Sequence, residues 1–138
     1  MKIEIKNRFS EKTILCGDYE SVKDCLEKNS SADLSYTNLH SADLHSANLR
    51  SANLQNAVIY GEELTKSLIQ IFGLDWDVMI LEKQIKIGCE IHDAKDWKKF
   101  KDLRISKMSS DAVDWWKVHK PIIMKLHKAH VAKTSKGE

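Results

Sequence analysis

Apolar residues recur at every fifth position between Ala32 and Gly61, a spacing that neither a helix nor a strand produces. Leu34, Leu39, Leu44, Leu49, Leu54 and Ile59 mark one inward column. Ala32, Thr37, Ala42, Ala47, Ala52 and Ala57 mark a second, where only a small side chain fits beside a corner. Asp33, Asn38, Asp43, Asn48 and Asn53 fall between them and face outward. Such a period predicts a coil that turns once per repeat, with short polar side chains bonding the backbone at each corner.

The flanks carry ordinary periods. Lys2 to Lys6 alternates like a strand and Thr13 to Cys16 reads as its hairpin partner, joined through Asn7 to Lys12. Ser21 is placed to cap a short helix over Val22 to Glu27 that ends near Asn29. Beyond the ladder, Leu64, Leu68, Ile69 and Phe72 have helical spacing, stopped by Gly73, with Glu62 and Glu63 as an acidic first turn. Trp76, Val78 and Ile80 predict one strand and Ile85, Ile87 and Cys89 another, with Leu81 to Gln84 as the turn. Asp93 is a candidate cap for a helix carrying Trp97 and Phe100. Ser109 or Ser110 would cap a longer helix through Trp115, Trp116, Ile122, Ile123 and Leu126, kinked or split by Pro121.

The pattern A-[DN]-L-x-x, unbroken over six repeats, resembles the pentapeptide-repeat family. The resemblance implies a right-handed quadrilateral β-helix with four repeats per coil. Six repeats would then make about one and a half coils, stacked near 5 Å apart. So short a stack needs covering at both ends. The expected fold is therefore mixed β/α in three parts. Residues 1–31 form a hairpin and helix cap, 32–61 the β-helix, and 62–138 an α+β subdomain of helix, β-hairpin and helices. This last part resembles a segment that follows pentapeptide repeats in small phage and prophage proteins. The likeness rests on Trp76-Asp77-Val78, on Ile87-Gly88-Cys89-Glu90-Ile91-His92, on Trp97 and on His119-Lys120.

Composition narrows the setting. The 138 residues are 30% charged and 42% hydrophobic, within the range of globular domains. No apolar run is long enough for a membrane span, and the charged, alternating start is unlike a signal peptide. Three cysteines at unrelated spacings suit free thiols and a cytoplasmic location. The net charge of +2 conceals fourteen lysines and arginines from Lys83 to Lys136. That bias admits an acidic protein or nucleic-acid partner.

Few residues suggest bond-making chemistry. Cys89-x-x-His92 and His127-x-x-His130 have metal-ligand spacing, yet they supply a single cysteine. Our reading is that Cys89 packs inward from its strand and His92 bonds at the start of the helix, with no metal and no cofactor. A zinc or thiol enzyme at Cys89 and His92 is the least favoured alternative, for want of an oxyanion hole or phosphate loop. Mimicry of DNA would need a long acidic rod. This ladder offers Asp33 and Asp43 interleaved with His40, His45 and Arg50. The leading expectation is a non-enzymatic, phage-type interaction protein that inhibits a host enzyme or defence complex, for example an anti-CRISPR. Its expected partner face is Trp97, Trp115 and Trp116 with Lys98, Lys99, Lys101 and Arg104, the tryptophans serving as interface anchors. A nucleic-acid binder using the same basic region is the alternative. No membrane partner is expected, and a homodimer is left open.

Overall fold

A computed structural model describes residues 1–136 apart from Ser41, His45, Ser46, Arg50, Ser51, Lys66 and Ser67, with side chains as far as Ala132. The ladder's outward His45 and Arg50 thus lie outside the described residues, as do the side chains of Lys133 and Lys136.

The chain opens with the expected hairpin, β1 (Lys2–Asn7) against β2 (Thr13–Asp18). Asn7 shapes the turn, its Oδ1 accepting from Phe9 N at 2.8 Å and Ser10 N at 3.0 Å. Helix α1 (Val22–Lys28) starts where Ser21 Oγ accepts from Asp24 N at 3.1 Å and ends at Asn29. Ile3, Ile5, Cys25 and Leu26 from these elements share one core with the ladder's leucines.

The ladder folds as a β-helix-like coil. Strand β3 (Thr37–Leu39) pairs in parallel with β4 (Val58–Ile59), Asn38 opposite Val58; an isolated parallel bridge joins Asp33 to Asn53. Both partners are twenty residues away (58 − 38 and 53 − 33), so a coil takes four repeats. Each corner closes by the same bond: the N–H of residue 37, 42, 47, 52 or 57 donates to the leucine carbonyl three residues earlier. Outward side chains brace the corners, with Asp33, Asn38 and Asn53 each accepting from the N–H two residues on. The Ser35 hydroxyl and N–H together hold the Asp33 carboxyl below its ordinary range. All six column residues, Leu34 to Ile59, are buried. Strand β1 pairs antiparallel with β3, extending the coil edge into the hairpin. Arg8 fastens that junction by donating to the Asn56 carbonyl at 3.0 Å and to Glu63 at 3.1 Å.

The helix expected over Glu62–Phe72 does not form. Tyr60 (φ 51°) and Gly61 (φ 77°) make a two-residue turn with both dihedrals left-handed, and β5 (Glu62–Glu63) folds back on β4. Leu64 then enters the ladder core, its N–H bonded to Ala57 O at 2.9 Å. Leu68 packs against the same core, so the spacing of Leu64 and Leu68 reflects burial on the ladder outside any helix. Nor is Glu62 a solvated helix start: it is buried, accepting from Lys83 N at 2.9 Å and Gln84 Nε2 at 3.3 Å.

Four antiparallel strands follow in sequence order: β6 (Ile69–Ile71), β7 (Val78–Ile80), β8 (Gln84–Ile87) and β9 (Glu90–Asp93). The β7–β8 turn falls at Leu81–Gln84 as expected. Strand β8 stops before Gly88, so Cys89 sits exposed in a tight turn instead of packing inward. The sequence reading also missed β9, whose short alternation abuts the next helix. Helix α2 (Ala94–Lys99) begins after Asp93, whose side chain makes no capping bond. A five-residue α3 (Asp102–Ser106) comes next, then α4 (Ala112–Lys136), which runs continuously through Pro121 instead of splitting. No helix among the described residues is long and apolar enough to cross a membrane.

Strand β7 is buried on both faces. Val78 and Ile80 join the core of the second sheet and helices, while Met79 joins the ladder core.

Candidate functional site

The basic run separates in space. Helix α2 presents Lys95 and Lys98, and helix α4 presents Lys125 and Lys128; each pair is spaced i, i+3 and so shares one helix face. The helices lie side by side, Lys120 Nζ donating to the Lys98 carbonyl at 3.0 Å. Between them opens a groove of about 650 Å³ whose apolar lining is Ala94, Met124, Val131 and Ala132. All four lysines line it, and its described lining contains no carboxylate. His127 also lines it, its Nε2 bonded at 2.7 Å to the Glu82 carbonyl in the β7–β8 turn. Lysine stems can cover apolar surface while their ammonium groups stay in water. The groove therefore offers apolar contact surrounded by positive charge.

Of the basic residues expected at a partner face, Lys98 is the one in this groove. Lys99 and Lys101 are exposed outside it. Arg104 lies over the Phe100 ring, 4.9 Å from its centroid. The tryptophans are not on the surface. Trp97, Trp115 and Trp116 are 2%, 8% and 5% exposed and belong to the second core. Adjacent helical residues diverge by about 100°, but α4 is covered across that whole arc. Trp115 meets Trp76 edge-on at 5.3 Å and stacks on His119 at 4.3 Å, while Trp116 lies 5.2 Å from Trp97. Trp97 in turn donates Nε1–H to the Ile85 carbonyl at 2.8 Å.

The metal candidates are likewise dispersed. Cys89 is on the exposed turn; His92 bonds Glu90 at 2.8 Å and packs edge-on against Trp97 and Phe100; His127 is held by Glu82. Together with His130 they form no metal-binding group of three among the described residues.

Residues 30–61 match the family model for pentapeptide repeats, with eight copies. The ladder is a pentapeptide-repeat segment. The match stops at Gly61, so the lysine groove, which begins at Ala94, lies outside the pentapeptide-repeat segment. No curated protein and no solved structure matches the chain.

Sequence reasoning grouped Lys95, Lys125 and Lys128 with the general basic bias and did not single them out. The paired i, i+3 spacings were a usable signal. What the sequence lacked was the packing of α2 beside α4, which turns two helix faces into one groove.

Proposed function

We propose that the chain is a non-enzymatic interaction module that holds an acidic partner protein in the groove between α2 and α4. The observation that carries this reading is an apolar lining shared with four lysines, with no carboxylate among the described lining residues. A partner segment with apolar side chains flanked by Asp and Glu complements it in both shape and charge. The pentapeptide-repeat segment serves as a rigid mount, in the finer form of a right-handed quadrilateral β-helix. Together with the likeness to phage proteins, this supports an inhibitor that blocks a host enzyme or defence complex by occupancy, as an anti-CRISPR does. A nucleic-acid partner would have to be held by the basic side chains without base stacking on Trp97, Trp115 or Trp116, which are in the core.

The test is capture from host lysate at micromolar protein, comparing the wild type with a Lys95→Glu, Lys98→Glu, Lys128→Glu triple variant. A protein retained by the wild type, released by added salt and lost from the variant supports the groove. Equal capture by both proteins, or no stable partner at all, overturns it. Nuclease-sensitive capture transfers the reading to nucleic acid.

A further inference from the structure

Helix α4 leaves one side exposed from its first turn as far as Ala132. Seven residues make nearly two turns at about 3.6 per turn, so positions 111, 118 and 125 fall in one line. Positions 114, 121 and 128 fall in a second line beside it. This alternation of three and four is the spacing by which two helices pack along a shared seam. The stripe reads Asp111, Asp114, Val118, Pro121, Lys125 and Lys128, and all six are exposed. Asp111 flanks the first turn, its carbonyl accepting from Trp115 N at 3.3 Å.

The centre of the stripe is apolar. Val118 is 65% exposed and Ile122, at its border, is 57% exposed, while Trp116 and Ile123 on the opposite side enter the second core. The two ends carry opposite charge that the chain does not use internally. Among the described residues, Asp111, Asp114, Lys125 and Lys128 join no ion pair, whereas neighbouring Lys117 pairs with Asp102 at 3.3 Å.

The order of charges identifies the complementary surface. A second copy of α4, turned about a two-fold axis, presents the same stripe reversed. With that axis between positions 119 and 120, Val118 faces the partner's Pro121 and Asp114 faces the partner's Lys125. Asp111 then faces the partner's Lys128, and every contact occurs twice, as an isologous interface requires. A parallel pair would set carboxylate on carboxylate and ammonium on ammonium, which is repulsive.

We propose that the chain forms an antiparallel homodimer through this side of α4. Apolar contact lies at the two-fold axis, and two Asp–Lys pairs stand on each side of it, an apolar centre with a polar rim. Lys125 and Lys128 also line the lysine groove, so a second copy and a groove partner compete for the same two ammonium groups. The dimer itself needs no groove partner, and its failure leaves the groove reading intact.

The experiment is sedimentation of the purified full chain over a range of concentration, for the wild type and three variants. The wild type is expected to pass from monomer to dimer as concentration rises. Asp114→Lys and Lys125→Asp each place like charges together on both sides of the axis, and each should weaken association about ten-fold or more. The double variant Asp114→Lys, Lys125→Asp exchanges the charges and should recover dimerisation in the antiparallel arrangement alone. Both positions are exposed, and far-UV circular dichroism verifies the fold of each variant. A wild type that stays monomeric at high micromolar concentration overturns the proposal. Single variants that dimerise as well as the wild type, or a folded double variant no tighter than the singles, overturn it equally.

Discussion

At the scale of single residues, backbone dihedrals decide more than hydrophobicity. Tyr60 and Gly61 turn the chain back after the last repeat, where apolar spacing alone predicts a helix. Gly88 does the same between β8 and β9 with φ +57° and also keeps clear of Trp76. We expect Gly88→Ala to destabilise the protein by about 1–2 kcal/mol, from the left-handed backbone and the crowded Cβ together. Urea denaturation measures this directly; a variant as stable as the wild type would show that the turn relaxes freely. Thr37 stands where five other repeats carry Ala, yet it is buried because its hydroxyl returns a bond to the Leu34 carbonyl at 2.8 Å. The small-residue column was legible in the sequence. The dihedrals at Tyr60 and Gly61 were not, because tyrosine is an unusual residue at φ > 0.

Elements show how a short coil is kept from fraying. Gln70 on β6 reaches the ladder like a missing neighbour strand. Its Oε1 accepts from Leu49 N at 2.8 Å and its Nε2 donates to Ala47 O at 2.6 Å. Glu27 on α1 accepts from Asn48 N at 2.8 Å close by. Gln70→Leu removes both backbone partners while keeping a comparable apolar stem. The expected loss is about 1–3 kcal/mol, with faster amide exchange at Leu49 than at corners bonded only within the ladder. Unchanged exchange at Leu49 would remove Gln70 from this role. That a flank must cover the coil was readable from the count of repeats. Which residue does so depends on a contact across more than twenty positions, on which local patterning is silent.

At the scale of the whole molecule, β7 lies between two cores. Met79 belongs to the ladder core, and Val78 and Ile80 belong to the core that holds Trp97, Trp115 and Trp116 and against which Trp76 packs. The two should therefore unfold together. Leu44→Ala, made in the ladder core, is expected to lose about 2–5 kcal/mol. The loss should appear as an equal shift of the unfolding midpoint seen by tryptophan fluorescence and by far-UV circular dichroism. Fluorescence that stays at the wild-type midpoint would mean the two cores unfold separately. The lysine groove depends on the same arrangement, since His127 anchors α4 to the turn after β7.

The sequence by itself determined the five-residue coil, its leucine and alanine columns, the first hairpin, the capped helix at Ser21 and the basic bias of the last third. Each follows from a period or cap contained within a few residues, so local chemistry suffices. The tertiary structure decided the rest: Glu62 buried against Lys83, Cys89 turned outward, the tryptophans gathered at one core, and two lysine pairs set around one groove. These depend on which distant faces meet, and the free energy of burial that selects them belongs to the assembled surfaces rather than to any segment alone.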